Sequence, residues 1–374
     1  MVVDAGRREL LPPGPPLPST VQALAWALRP LEVMDRCYAR YGNIFTLRVR
    51  RGRPWVFLTQ PEHVKEVFTT DSELLRAGAG EANPLLGPLL GPRSVMLLDE
   101  PQHLSDRRRL LPSFHAQRMK AYGAMMGAVA EEQIERWPLG EPFALWPRMQ
   151  AISLEVVMHS VFDGIHSMLE RAHAVDGEWA SEEKMRDELV TMLSDGPTAT
   201  SLAWVFERLL RHPEKLERLR AELLAEEGEE YLDAVVKETL RLCPAVPIIM
   251  RRLTEPMHLG AYTLPAETIV APCIYLLHRR ADIYPDPLSF RPERFLEESA
   301  GTYSWIPFGG GVRRCVAVSF AQLEMREVMN TVLRELDLRP AAASSEGAAR
   351  SSVSFAPDGG AIVLASRRMR EALA

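Results

Sequence analysis

The stretch Phe308-Gly309-Gly310-Gly311-Val312-Arg313-Arg314-Cys315 delivers one cysteine to the start of a helical pattern that runs to residue 335. A thiolate that binds a metal needs a dry, electropositive site to stay deprotonated, and backbone N–H groups supply such a field. Glycine lets the backbone approach the sulfur closely, because it has no Cβ atom. The loop therefore predicts that Cys315 is an axial metal ligand. The alternative is a glycine-rich turn beside an ordinary buried cysteine.

The composition is that of a globular protein. The 374 residues are 47% hydrophobic, which suffices for a large core, and the formal net charge of −6 gives no support for nucleic acid as a partner. Four widely spaced cysteines form no CxxC or Cys/His cluster, which favours a reducing, cytoplasmic location over a disulfide framework or a zinc site. We see no secretory signal and no run of about 20 apolar residues, so we expect no membrane span.

Hydrophobic periodicity predicts a mainly α fold with small peripheral β-sheets. Strands are predicted as a hairpin at 44–49 and 55–59, a strand-rich stretch at 257–270, and a second hairpin at 352–366 around Asp358-Gly359-Gly360. Helices are predicted at 61–70, 101–111, 116–136, 148–162, 182–210, 213–225, 231–242 and 315–335. Because the sequence contains no repeats and no long linker, we expect residues 1–374 to form a single domain.

A carboxylate and a guanidinium, Glu238 and Arg241, stand three residues apart and share one face of the predicted helix 231–242. The same spacing at Glu217 and Arg220 is by default a solvated surface pair. The first pair differs in its setting, because a long apolar helix precedes it and the cysteine loop follows. Arg294, between two aromatic anchors, could complete a buried charge network with this pair, which would fix geometry more than it stabilises.

These motifs occur together in one known family. The loop at 308–315, Glu238-x-x-Arg241 and the segment 291–295 have the order and rough spacing of the cytochrome P-450 superfamily, and the chain resembles its soluble bacterial members. The proline-rich lead-in at 11–18 and the sequence His103-Leu-Ser-Asp-Arg107 are similar as well. The resemblance covers residues 11 to about 364 and implies an α-rich prism, partly truncated, that binds haem b, iron protoporphyrin IX.

The resemblance also implies an activity and its partners. The expected function is a haem-thiolate monooxygenase, which hydroxylates a hydrophobic small organic molecule with dioxygen. Electrons would come from a separate ferredoxin or flavodoxin-type donor with its reductase, since nothing in the sequence is similar to a fused reductase. A basic patch formed by Arg313, Arg314 and the run at 107–109 would receive that donor.

The family pattern implies a role for each matching residue. Cys315 would be the iron ligand, and Phe308 would pack beside the sulfur. The haem propionates would be held by four cationic side chains, namely His103, Arg107, Arg251 and Arg313. This agrees with their chemistry, because arginine offers paired N–H groups to a carboxylate and residues four apart on a helix face the same edge.

The chain departs from the family at the oxygen-activating helix. Gly196 and Pro197 stand where family members usually have an acid and a threonine that relay protons. Asp195 and Thr198 flank them, each displaced by about 100° around a helix, and we expect these two to serve as the relay. The alternative for Thr198 is a hydroxyl that bonds back to its own helix. Ala317 is a smaller departure, at a position where the family usually has glycine.

A second departure is length. Residues 164–186 are too few for the two long helices and the loop that normally roof the substrate pocket, and the stretch 225–230 is also short. An open pocket would admit water, which competes for iron. Two alternatives therefore stand beside the monooxygenase. One is a degenerate haem- or ligand-binding protein that lacks dioxygen activation, and the other is a peroxide-driven oxygenase.

Overall fold

The computed structural model describes residues 11–50, 53–77, 86–114, 116–172, 182–193, 196–225, 228–351 and 353–368. The chain forms two compact units. The first comprises Met1–Arg108, Pro247–Pro287 and Gly301–Cys315, and the second comprises Arg109–Val246, Leu288–Ala300 and Val316–Ala374. The single domain expected from the sequence stays a prediction.

Helices account for most of the regular structure. They are α1 Ser19–Leu28, α2 Pro30–Tyr41, α3 Pro61–Thr69, α4 Gly87–Leu90, α5 Gln102–Leu110, α6 Ala116–Ile134, α7 Leu145–Ala172, α8 Glu182–Leu193, α9 Gly196–Leu210, α10 Pro213–Ala225, α11 Glu230–Leu242, α12 Ile274–Leu277, α13 Arg294–Glu297 and α14 Val318–Glu335. Two 3-10 turns lie at Leu111–Phe114 and Gly311–Arg313.

The strands are short and form small sheets. They are β1 Ile44–Arg50, β2 Arg53–Leu58, β3 Leu75–Arg76, β4 Pro142–Ala144, β5 Arg251–Leu253, β6 Met257–Leu259, β7 Tyr262–Leu264, β8 Ile269–Pro272, β9 Leu336–Pro340, β10 Ala348–Ser351, β11 Ser354–Pro357 and β12 Ile362–Arg367.

The first unit is built on a five-stranded sheet of order β1-β2-β8-β5-β3. The pair β2 and β8 is parallel, whereas the other neighbours are antiparallel. On one side of this sheet an aromatic cluster forms, in which the rings of Phe45 and Phe57 stack at 5.0 Å and Trp26 meets Phe57 edge to face at 5.5 Å. Burial of such rings contributes a large part of the core's stability.

The proline-rich lead-in is tied to β1. The Thr46 N–H donates to the carbonyl oxygen of Pro13 at 2.9 Å, and the Thr46 hydroxyl donates to that of Pro12 at 2.7 Å. Gly14 lies so close to the Thr46 carbonyl that a Cβ atom there would overlap it. The buried Gln22 amide then joins the lead-in to β1, because it donates to Leu17 O at 2.7 Å and accepts from the Arg48 N–H at 2.8 Å.

Helix α3 positions the cysteine loop within the first unit. Proline stands in its first turn, where the missing N–H costs nothing. Its apolar face buries Val64, Val67 and Phe68 in a core that also contains Leu253 and Ile306. This burial fixes the C-terminal end of α3, which contacts the 3-10 turn at Gly311–Arg313.

The second unit is helical around α9, which is buried over most of its length. This helix packs on α7, α11 and α14, and α14 packs in turn on α6. A helix that is apolar all round belongs in the middle of a helical core. Trp204 on α9 also donates its indole N–H to Phe355 O at 2.8 Å, which joins the helix to β11.

Most predicted elements are confirmed within one to three residues at their ends, including the hairpin of β1 and β2. The tail hairpin is wrong. Strand β11 pairs with β10, whereas β12 pairs with β9 and β4. The reason is Glu346, whose carboxylate accepts the backbone N–H groups of Gly359, Ala361 and Ile362 at 2.9–3.0 Å and so directs the turn away from hairpin closure.

The helix predicted at 182–210 is described in two pieces, α8 and α9. Asp195 lies outside the described residues. Pro197 is the second residue of α9, where proline is readily accommodated. Helices α1 and α2 were not predicted. Among the residues that the structure describes, no helix is both long and apolar enough to span a membrane.

Candidate functional site

The cysteine loop is closed by a hydrogen bond from the Cys315 N–H to the Phe308 carbonyl oxygen at 3.0 Å. Gly309 and Gly311 adopt φ values of +73° and +64°, in the left-handed region that favours glycine. The loop ends with Cys315 exposed. Ala317 has a φ of −94°, so the methyl group at this position is compatible with the backbone.

Two of the loop glycines are required by contact with α3. A Cβ atom on Gly310 would overlap the ring of Phe68, and a Cβ atom on Gly311 would overlap the Phe68 carbonyl oxygen. The loop backbone therefore lies directly on the end of α3. Phe308 is partly exposed and its ring meets that of Trp305 edge to face at 6.2 Å.

A buried carboxylate joins two of the predicted propionate-binding residues. Glu100 lies 2.8 Å from His103 Nδ1 and 3.2 Å from Arg313 Nε, and all three side chains are at most 9% exposed. Arg313 also donates to Leu98 O at 2.6 Å. Burial lowers the pKa of His103, Arg313 lowers it further, and Glu100 opposes both effects.

The other two predicted propionate-binding residues, Arg107 and Arg251, are also partly or largely removed from water. Burial lowers the pKa of Arg251 to about 10, and Arg313 acts in the same direction. Within the described part of the chain, the Arg251 side chain makes one hydrogen bond, from Nη1 to the carbonyl oxygen of the adjacent Met250. Burial also lowers the pKa of Arg107, while the nearby Cys315 sulfur raises it.

This donor set fits an acidic ligand. Three arginines, Arg107, Arg251 and Arg313, stand with His103 beside two carboxylates, Asp99 and Glu100. Burying cations in such excess is unfavourable unless an anion shares the site. Two propionates would supply that charge, and the loop places the sulfur of Cys315 beside Arg107. The residues present therefore fit haem.

The remaining cysteines lie in different surroundings. Cys37 and Cys273 are buried, and burial raises their pKa to about 11 and about 12. A thiol held protonated in this way is a poor metal ligand. Cys243 is partly exposed at the end of α11.

The predicted charge network has the following geometry in the second unit. Arg241 binds Glu238 through two bonds of 2.7 and 2.8 Å, and both side chains are fully buried. Arg294 approaches the same carboxylate at 3.1 Å, and the backbone N–H of Arg291 donates to it at 2.8 Å. The network joins α11 to α13 and to the segment before it. In contrast, Glu217, which pairs with Arg220 at the same spacing, is 70% exposed.

Of the two predicted relay residues, the structure describes Thr198. It is buried in the first turn of α9, in the second unit. Three residues later the Ser201 hydroxyl bonds back to Pro197 O at 2.8 Å. Asp195 falls outside the described residues.

Comparison with known proteins identifies the family. The sequence model of the cytochrome P450 family matches residues 12–171 and 149–357. The chain belongs to the cytochrome P450 family. It is therefore an oxidoreductase of the monooxygenase class with a haem cofactor.

Relatives and solved structures agree with this assignment. The chain is 33% identical to cytochrome P450 135B1 of Mycobacterium tuberculosis, over 94% of this chain and 90% of that protein. It is 28% identical to cytochrome P450 138 of the same species, over 96% and 97%. The structure of cyanobacterial CYP120A1 with bound retinoic acid matches with a TM-score of 0.83 at 20% identity, over 96% of this chain and all of that one. This confirms the mainly helical P450 fold.

The P450 comparisons also support the expected shortening. The alignment with P450 135B1 extends over 428 positions, more than the 374 residues of this chain, so the chain lacks segments that this relative has. The two matches to the family overlap at residues 149–171. That overlap includes residues 164–171 of the segment 164–186, where the sequence predicts a shortened lid.

Sequence reasoning missed Glu100 and Phe68, which touch the predicted site residues. Glu100 stands three residues before His103, and a carboxylate at that distance from a histidine near a helix start is a recognisable signal. Phe68 carries no such signal, because its contact with the glycines depends on tertiary packing alone.

Proposed function

We propose that this P450 is a haem b-thiolate monooxygenase that hydroxylates a hydrophobic small molecule, and that the Cys315 thiolate would hold the haem iron. When bound, the haem supplies oxygen activation, and thiolate ligation favours O–O cleavage. The observation that carries the proposal is the exposed Cys315 at the end of a glycine loop, next to a buried cationic cluster. Phe308 packs at the start of this loop.

His103, Arg107, Arg251 and Arg313 bind the two propionates. Arginine presents N–H groups in fixed geometry, and each charge-assisted hydrogen bond is about twice as strong as a neutral one. Burial and the charge of Arg313 together lower the pKa of Arg251 and His103, and two bound negative charges would offset both effects. Propionate binding would thus both orient the macrocycle and stabilise the protein.

Glu238, Arg241 and Arg294 keep the second unit in its geometry and take no part in the chemistry. Their buried network links α11 to α13, and removal of one member would leave a buried charge without its partner. Thr198 and Asp195 are proposed to hold the proton that oxygen activation requires. Burial of Thr198 supports this role, because a buried hydroxyl retains its hydrogen-bond geometry.

Electrons are proposed to come from a ferredoxin or flavodoxin-type protein. The exposed Arg314 precedes Cys315, the exposed Arg108 follows Arg107 on α5, and acidic donor proteins would be attracted to this positive charge. Charge reversal by Arg108→Glu and Arg314→Glu should slow donor-supported reduction and weaken its salt dependence. Peroxide-supported turnover should be unchanged. We propose a cytoplasmic location, in keeping with four cysteines that form no cluster in the sequence.

A second candidate is a haem protein that uses peroxide or does not turn over. One observation favours it, namely that Gly196 and Pro197 begin α9, at the positions where an acid and a threonine are expected. Glycine and proline carry no side-chain group that can transfer a proton.

One set of measurements tests these candidates. The dithionite-reduced protein with carbon monoxide should give the red-shifted Soret band of thiolate ligation, and Cys315→Ser should lose it. Cys243→Ser is the matched control and should retain it. Product formation is then compared with NADPH plus a surrogate redox chain and with peroxide, on a hydrophobic panel that includes retinoic acid. Product with peroxide alone would favour the second candidate, and no red-shifted band would overturn the assignment of Cys315.

A further inference from the structure

We propose that Glu100 is a positioning residue of the haem site, which holds His103 and Arg313 in the orientation that binds the propionates. This inference rests on the proposed function, since it assumes that these two residues face the haem. Glu100 itself need not touch the cofactor. Its role is to fix two groups that do.

Glu100 uses both of its carboxylate oxygens. Oε1 of Glu100 lies 2.8 Å from His103 Nδ1 and 3.2 Å from Arg313 Nε. Oε2 accepts the backbone N–H of Leu104 at 2.9 Å. The side chain is 4% exposed, so these interactions are shielded from water. One buried carboxylate therefore joins α5 to the loop before Cys315, two segments about 210 residues apart.

The contacts of Glu100 determine which nitrogen atoms remain for a ligand. The Nδ1 atom of His103 is directed to Glu100, which leaves Nε2 for a propionate. Arg313 turns Nε to Glu100, donates Nη1 to Leu98 O at 2.6 Å, and holds Nη2 3.7 Å from a carboxylate oxygen of Asp99, too far for a hydrogen bond. A guanidinium has five N–H donors, so the terminal nitrogens can still bind a carboxylate in a fixed orientation. Glu100 thus determines which edge of each group is presented.

The charge of Glu100 also acts on the cluster. Burial lowers the pKa of both His103 and Arg251, and the positive charge of Arg313 acts in the same direction on each. Glu100 places a negative charge 2.8 Å from His103 Nδ1 and 3.2 Å from Arg313 Nε, and so offsets the positive charge at this point of the cluster. Without its charge the cations would separate, and the site would lose its geometry before the haem is bound.

A purely structural role is the competing explanation, since Oε2 also satisfies a backbone N–H in the first turn of α5. The chain offers a matched control for that role. Glu222 accepts the backbone N–H groups of Tyr231 and Leu232 at 2.7 and 2.9 Å, in the second unit. Glu222→Gln therefore reports what loss of a capping carboxylate does to stability alone.

The experiment compares haem release from the wild type, Glu100→Gln and Glu222→Gln by transfer to excess apomyoglobin, with thermal unfolding measured in parallel. Glutamine keeps an acceptor for the Leu104 N–H and removes the charge. We expect Glu100→Gln to release haem roughly 10- to 100-fold faster than the wild type, as is usual when a residue that orients a ligand is lost. Glu222→Gln should release haem at the wild-type rate.

Two outcomes overturn the inference. One is haem release from Glu100→Gln that is no faster than from Glu222→Gln. The other, if Glu100→Gln does not fold, is a wild-type release rate for Glu100→Asp, which keeps the charge and withdraws the oxygens by one methylene. The wild-type Soret band with carbon monoxide separates this result from failure of the proposed function. If that band is normal and the rate of haem release is unchanged, the result contradicts the proposed role of Glu100 and leaves the proposed function intact.

Discussion

The carbonyl oxygen of Phe68 lies too close to Gly311 for a Cβ atom to fit between them. The ring of the same phenylalanine occupies the position of a Cβ atom on Gly310. Phe68 is itself buried in the core of the first unit, so it cannot move away freely. The glycines next to the proposed ligand are therefore required by packing against α3, in addition to any requirement of the cofactor.

Gly311→Ala should disturb the loop. The φ of +64° costs an alanine about 1–2 kcal/mol, and overlap with the Phe68 backbone adds to this. We expect the variant to be purified with a lower haem content, measured as the ratio of Soret to protein absorbance. Gly196→Ala is the control, since a Cβ atom there would have no contact within 4 Å among the described residues, and its haem content should equal that of the wild type.

Glu238→Gln should destabilise the protein by about 3–5 kcal/mol, because it leaves the buried Arg241 without its charged partner. Glu217→Gln removes a pair with the same spacing, but that carboxylate is 70% exposed and the cost should be less than about 1 kcal/mol. Urea unfolding of both variants provides the comparison. Equal midpoints would contradict the distinction between the buried network and the surface pair.

Arg251→Leu should have opposite effects on the protein and on cofactor binding. Burial lowers the pKa of Arg251 to about 10, so its charge destabilises the haem-free fold, and removal should raise the unfolding free energy by about 1–3 kcal/mol. Haem release should become faster at the same time. The exposed Arg350→Leu is the control, and both quantities should stay near the wild-type values. A less stable haem-free Arg251→Leu would contradict the argument.

Thr198→Val should identify the proton source. If the hydroxyl relays protons to dioxygen, product formed per NADPH should fall about 10- to 100-fold, whereas peroxide-supported turnover should be retained. Thr200→Val is the matched control, because Thr200 is equally buried on α9 but two positions further along the helix. The same loss in both variants would point to packing instead of proton transfer.

Glu327 makes stability depend on pH. Burial raises its pKa, and the Glu229 carboxylate adds to this. The folded state therefore keeps a proton that the unfolded chain releases near pH 4.5, and stability falls as pH rises from there through the folded-state pKa. Glu327→Gln should raise the melting temperature at pH 7 and leave it nearly unchanged at pH 4. An exposed control, Glu62→Gln, should shift it at neither pH.

The fold class could be predicted because the long helices have strong apolar periodicity, as in α14 and α11. The tail hairpin could not be predicted correctly. Its strands are separated by contacts of Glu346 with backbone N–H groups, and no local sequence pattern indicates these contacts. Helices α1 and α2 were missed because their apolar residues follow prolines that suggest extended chain.

The residues of the candidate site also differ in whether the sequence alone could identify them. Cys315 and the Glu238 network stand in local motifs with defined spacing, and sequence reasoning could find them. Glu100 and Phe68 act through tertiary contacts with residues about 210 and 240 positions away, which no local pattern records.

The lead-in also determines where the five-stranded sheet stops. Strand β1 is at the edge of the sheet, and a bare edge invites pairing with another chain. Pro12 and Pro13 lie along it through their bonds to Thr46, and neither proline has an N–H to offer outward. Proteolysis between the lead-in and α1 would expose that edge, and self-association is the expected result. The lead-in at residues 11–18 thus protects the edge strand β1 from pairing with another chain.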